Sequence, residues 1–147
     1  MYEVTEHITK ALAAKKINYE VSEAWEDGAP DRVKLAFSIN RSTRLTMTLL
    51  LHDGRNVVCL RVFDLLQTQD VDETKVFRAL NAMNARWNYA RFYRDASDAS
   101  VTAALDAAFC DSDIVDGCLR MARLLAHICE KAQPQLKKEL RGRASRS

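Results

Sequence analysis

Hydrophobic and polar positions alternate most regularly between Val33 and Leu51. Val33, Leu35, Phe37 and Ile39 share one side of an extended chain, and Lys34, Ala36 and Ser38 share the other. Beyond a polar turn, Leu45, Met47, Leu49 and Leu51 repeat the pattern against Arg44, Thr46, Thr48 and Leu50. A period of two with one apolar side predicts paired antiparallel strands covered on a single face. His52-Asp53-Gly54-Arg55 supplies a hairpin turn, Asp-Gly being a strong local signal for one. Val57 to Phe63 then returns with apolar residues on both sides apart from Arg61, which predicts a central strand or one beneath a partner surface. Leu65 and Leu66 carry that apolar edge into the following loop. Upstream, Tyr19 to Trp25 alternates weakly and predicts a short edge strand, closed by the turn Asp27-Gly28-Ala29-Pro30.

Elsewhere the apolar period lengthens to that of a helix. Val4 to Lys16 carries a modest stripe through Val4, Ile8, Ala11 or Leu12, and Lys15. Asp70 is the expected N-cap of a second helix, with Glu73 three residues on, and Phe77, Leu80, Asn84 and Trp87 fall on one face. Asn88 marks its end. Two strands, Tyr89 to Tyr93 and Val101 to Leu105, follow around the polar turn from Asp95 to Ser100. Asp111 or Ser112 caps a final helix whose stripe runs through Ile114, Val115, Cys118, Met121, Ala122, Leu125, Ile128 and Cys129. Pro134 is expected to end or kink it.

The order is therefore helix, three or four strands, helix, two strands, helix. Written α-β-β-β-α-β-β-α, it predicts an α+β domain: an antiparallel sheet with helices on one face. Residues 1–133 form that domain, and residues 134–147 form a basic tail.

Composition narrows the reading further. The chain has 147 residues, 48% of them hydrophobic, with two prolines, which fits one folded domain with a sizeable core. Its longest apolar runs, Met47 to Leu51 and Val57 to Leu60, are strand-length and cannot span a bilayer. The start, MYEVTEHITK, lacks a basic stretch followed by an apolar one, so a cytoplasmic location is expected. The net charge is +2, but Lys137, Lys138, Arg141, Arg143 and Arg146 stand against Glu139 alone. The end of the chain is thus a short basic arm, either a solvated end or a contact for nucleic acid or an acidic partner.

Candidate chemistry is sparse. Cys59, Cys110, Cys118 and Cys129 form no C-x-x-C pair, and His7, His52 and His127 are scattered, so neither a metal nor a disulfide is expected. The glycines are too dispersed for a phosphate-binding loop, and no nucleophile sits in an elbow motif. Asp111, Asp113 and Asp116 suit the positive end of a helix better than a divalent-cation site. No catalysis and no cofactor are expected. Asn81, Asn84 and Trp87 read as structural, with Asn84 near the core and tying the helix end to a neighbouring strand. Trp25, Leu50, Val57, Cys59, Phe63, Leu65 and Leu66 are the candidate apolar patch on the uncovered side of the sheet, serving a partner or a dimer interface.

The element order, the stretch LNAMNARWNYARFYRD and the capped helix CDSDIVDGCLRMARLL together resemble the YbjN-like family, whose fold is similar to the class I type III secretion chaperones. The resemblance covers about residues 1 to 133. It implies a small bacterial, cytoplasmic homodimer that binds another protein or peptide without catalysis. Members of that family also carry the label of sensory transduction regulators. The alternative is a nucleic-acid-associated regulator acting through the arm from Lys137 to Arg146.

Overall fold

The computed structural model describes residues 1–142. Helix α1 (Glu3–Ala14) precedes strands β1 (Glu20–Ser22), β2 (Asp31–Ile39), β3 (Thr43–Leu51) and β4 (Val57–Gln67). Helix α2 (Glu73–Arg86), strands β5 (Arg91–Arg94) and β6 (Ser100–Ala108), a 3-10 turn (Asp111–Asp113) and helix α3 (Ile114–Gly142) complete the chain. The six strands form one antiparallel sheet in the order β1-β2-β3-β4-β6-β5. The weak alternation around Val21 is a true edge strand, so four strands precede α2.

All three helices lie against one face of this α+β sheet. Val33, Leu35, Met47, Leu49, Leu60 and Val101 point from the strands into a single core with Ile8, Leu12, Val76, Met83, Leu125 and Ile128 from the helices. Their strand partners of opposite phase, Lys34, Ala36, Arg44 and Thr46, remain exposed. The period of two in the sequence thus becomes one dry face and one wet face.

Asp31, at the head of β2, is the acidic exception on the dry side. It is buried, and its carboxylate accepts the Tyr2 N–H at 2.7 Å, the Thr5 hydroxyl at 2.7 Å and the Ala24 N–H at 2.8 Å. The Tyr2 cap of α1 offers no side-chain acceptor of its own, so Asp31 supplies the negative charge that the helix start favours. Burial pushes its pKa up, but the three donors outweigh burial and hold it below the usual carboxylate range.

Four expectations are corrected. Helix α2 begins at an Asp72 cap, which accepts the Lys75 N–H, and not at Asp70. Its buried face is Val76, Ala79, Leu80 and Met83, while Phe77 is 52% exposed. Both stripes have helical spacing; the apolar one wins because burying Asn84 would cost more than exposing Phe77.

Strand β4 runs on to Gln67, beyond the expected end at Phe63, and its pairing with β6 shifts between Val62 and Leu66. Phe63, Asp64 and Leu65 stand where β6 has Thr102 alone, so the irregularity holds two extra residues, with Asp64 at φ 57° in its middle. Because Phe63 and Asp64 both face outward, Leu65 turns inward and is 1% exposed. The Leu65 carbonyl accepts the buried Gln133 amide at 2.9 Å.

Helix α3 passes through Pro134 instead of ending there, and Leu136 and Leu140 are buried in the core. The folded unit therefore extends past residue 133 into the segment expected to be a tail. Proline removes the N–H that would bond the Glu130 carbonyl. The Asn40 side-chain amide, reaching from the β2–β3 turn, lies 3.4 Å from that carbonyl and takes its place. Arg143 and Arg146 of the predicted basic arm lie outside the described residues.

Candidate functional site

The uncovered face of the sheet collects the chain's unassigned side chains, and strand register sets which of them meet. One row across it reads Glu20, Lys34, Thr48, Arg61, Ala104 and Arg91; the next reads Ser22, Arg32, Leu50, Cys59 and Asp106. Thr48 and Ala104 belong to this face yet are buried.

On the β4–β6–β5 half two arginines share one carboxylate, so both cations are engaged although one positive charge is left in excess. Asp106 accepts Arg61 Nη1 at 2.6 Å through one oxygen and Arg91 Nη2 at 3.0 Å through the other. The Arg61 hydrogen bond holds the Asp106 pKa below the usual range against the opposing effect of burial. Burial, with Asp106 alongside, pushes the Cys59 thiol up. Cys118 and Cys129, deep in α3, are pushed up to about 12 by burial. Neutral thiols of that kind are poor nucleophiles.

The β2–β3 half differs. A shallow cavity of about 740 Å³ lies over it, with Ala36, Thr46 and Thr48 as floor, Phe63 as one wall, and Arg32, Lys34 and Arg44 around it. Glu20, Asn18 and Tyr19 complete the rim. Among the described residues, Arg32, Lys34 and Arg44 take part in no ion pair. The Arg32 guanidinium instead sits 5.4 Å from the centre of the Trp25 ring, a cation–π contact that fixes its position.

The expected apolar patch is only partly assembled. Phe63, 48% exposed, and Val57 are on the open face, where Leu50 is half-buried and Trp25 lies exposed beside Arg32. Val57 opens β4 and Phe63 stands six residues along it, with the Arg61–Asp106 pair between them, so they are not contiguous. Leu65 is corrected to the core and Leu66 to partial burial against it, both through the Asp64 bulge. Sequence reading passed over the cations Arg32, Lys34 and Arg44, although the alternation had already placed them on the uncovered side.

Asn84 is exposed and not near the core, but it does tie α2 to a strand. Its Nδ2 donates to the Phe92 carbonyl at 3.0 Å, and its Oδ1 accepts the Phe92 N–H at 2.7 Å. It therefore stands in for a further strand along the β5 edge. Asn81 is exposed, and Trp87 is half-buried against the core as the C-cap of α2. Among the described residues no group of three or more His, Cys, Asp or Glu side chains is placed to hold a metal ion, and no helix is long and apolar enough to cross a membrane.

No family profile matches the chain, and no curated protein matches it in sequence. Among solved structures it is similar to the crystal structure of the ExsC–ExsE complex, with a TM-score of 0.59 at 18% identity. The likeness covers 92% of this chain and 97% of the neighbour's. The fold is therefore type III secretion chaperone-like, as the family resemblance implied.

Proposed function

We propose that this chain is a non-catalytic, chaperone-like protein-binding domain that works as a cytoplasmic homodimer, in keeping with its resemblance to the YbjN-like family of bacterial regulators. The observation that carries the reading is a complete chaperone-like sheet with helices on one face only, leaving Phe63, Val57 and three unpaired cations uncovered on the other. The structural neighbour is the ExsC–ExsE complex, which is the precedent for a protein partner. Light scattering on the full chain and on a Val57→Ser/Phe63→Ser variant tests it. A dimer in the full chain supports the assembly, and a monomeric variant would assign the open face to the dimer contact. A monomer in both overturns the homodimer. Partner capture unchanged by the two substitutions would remove the apolar part of the surface from the reading.

A second reading has one observation in its favour. Lys137, Lys138 and Arg141, expected in a tail, are gathered on α3 beside Asn40, Ser42 and Thr43 along a shallow groove. A nucleic-acid contact there requires binding of an oligonucleotide that weakens steeply with salt and is lost on Lys137→Glu/Lys138→Glu/Arg141→Glu.

A further inference from the structure

We infer that the cavity over β2 and β3 takes an extended acidic segment of a partner protein, with carboxylates about four residues apart and small residues between them. This deepens the protein-binding reading and rests on it. Among the described residues no helix lies over the uncovered face, and the distribution of charge on it selects among occupants. Arg32 and Lys34 are alternate residues of β2 and project on the same side. Arg44 is paired across from Ser38 on β3, four residues along from Lys34. At roughly 3.3 Å per residue, the two cationic ends stand about 13 Å apart along the strand direction. Between them lies Ala36, paired with Thr46, while Thr48 is paired with Lys34 at the near end. These short side chains leave the backbone approachable.

Phe63 offers an apolar wall beside that neutral saddle. A strand-like segment laid along β2 would bring one carboxylate to Arg32 and Lys34, and another to Arg44. The residues between would pass over Ala36 and Thr46. Glu20 is the one carboxylate on the rim. It stands on β1 opposite Lys34, where it repels an acidic segment that strays to the sheet edge. Arg32 is already held by Trp25, so less side-chain freedom is lost when it takes a carboxylate. The other half of the face lacks this capacity because Asp106 already occupies Arg61 and Arg91.

The test uses the full chain and fluorescently labelled twelve-residue peptides read by anisotropy. One carries Asp at two positions four apart with Ala and Thr between them; a second has Lys in place of Asp, and a third is neutral with a central Phe. A twelve-nucleotide thymidine strand is the fourth probe. The Asp peptide is expected to bind, to weaken with added salt, and to lose at least about tenfold in affinity on Arg32→Glu/Lys34→Glu/Arg44→Glu. That variant is expected to gain the Lys peptide, which a merely unfolded variant could not do. Charge reversal at Lys137, Lys138 and Arg141 is expected to leave Asp-peptide binding unchanged.

Equal binding of the neutral and Asp peptides would overturn the acidic segment while leaving the protein-binding reading intact. Binding of no peptide would overturn both. Preference for the thymidine strand, lost on the same reversal, would make this a nucleic-acid surface instead. A change in oligomeric mass on the reversal would mean that a second copy covers the face, again overturning the inference.

Discussion

The two faces of the sheet are made from the same strands and obey opposite rules. On the covered face, Val33, Leu35, Met47, Leu49 and Leu60 are fully or nearly fully buried, and the polar Asp31 and Gln133 are met by dedicated partners. Asp31 receives three donors, and Gln133 donates to the Leu65 carbonyl beside the bulge. On the open face, charge is paired at one end around Asp106 and left unpaired at the other around Arg32, Lys34 and Arg44. Burial makes each omission on the first face expensive, whereas water satisfies the second. The covered face therefore carries stability, and the open face is at liberty to carry recognition.

That division breaks most directly if substitutions on the two faces of β4 cost the same. Leu60 is fully buried, so Leu60→Ala is expected to lose about 2–5 kcal/mol through lost transfer energy and the cavity left behind. Phe63→Ser, three residues on and facing water, is expected to lose less than about 1 kcal/mol. Urea unfolding of both variants measures the difference. A loss at Phe63 comparable to that at Leu60 would show that something, such as a second copy, covers the open face.

Asp31 sharpens the comparison because it is a carboxylate on the stabilising side. Asp31→Asn removes the charge that three donors converge on, and is expected to cost about 1–3 kcal/mol at neutral pH. Its folded-state pKa lies below the ordinary value. The contribution is therefore complete above the unfolded value of about 4 and is lost as pH falls through the folded-state pKa. The gap between wild type and Asp31→Asn should be widest at neutral pH and close in acid. A gap that stayed constant down to pH 2 would mean that shape, and not ionisation, makes Asp31 important.

The covered face was largely legible in the sequence, because a period of two or 3.6 records burial directly. Val33 to Ile39 and Leu45 to Leu51 are strands with the expected side inward. Legibility failed where a long-range contact overrode a local rule. Pro134 reads as a helix end, since nothing nearby announces that Asn40, ninety-four residues earlier, compensates the orphaned Glu130 carbonyl. Leu65 reads as a surface residue, since a bulge changes phase without changing composition. Phe77 and Val76 lie on stripes of equal spacing, and only the polarity of Asn84 separates them. The open face was legible in its membership but not in its emphasis. Attention to apolar residues there concealed that the unpaired groups are Arg32, Lys34 and Arg44, and only the register shows that Arg61 and Arg91 are already engaged by Asp106.

The smallest effect provides the closest control. Asp106, like Asp31, has a pKa below the usual carboxylate range, chiefly through its hydrogen bond from Arg61. The two carboxylates share a chemistry and differ in their exposure to water. Asp106→Asn is expected to cost only about 0–1 kcal/mol, a cost that shrinks further in high salt because water and ions screen an exposed pair. The Asp31→Asn loss should be nearly indifferent to salt. Comparing the two variants in urea at low and high salt isolates burial as the variable. Equal salt dependence would mean that Asp31 is no drier than Asp106, and the contrast between the two faces would fail at its most polar point. If the contrast holds, Asp106→Asn also frees Arg61 and Arg91. The variant would then extend the unpaired cationic surface across the sheet, and the Asp peptide should bind it at least as tightly as the wild type.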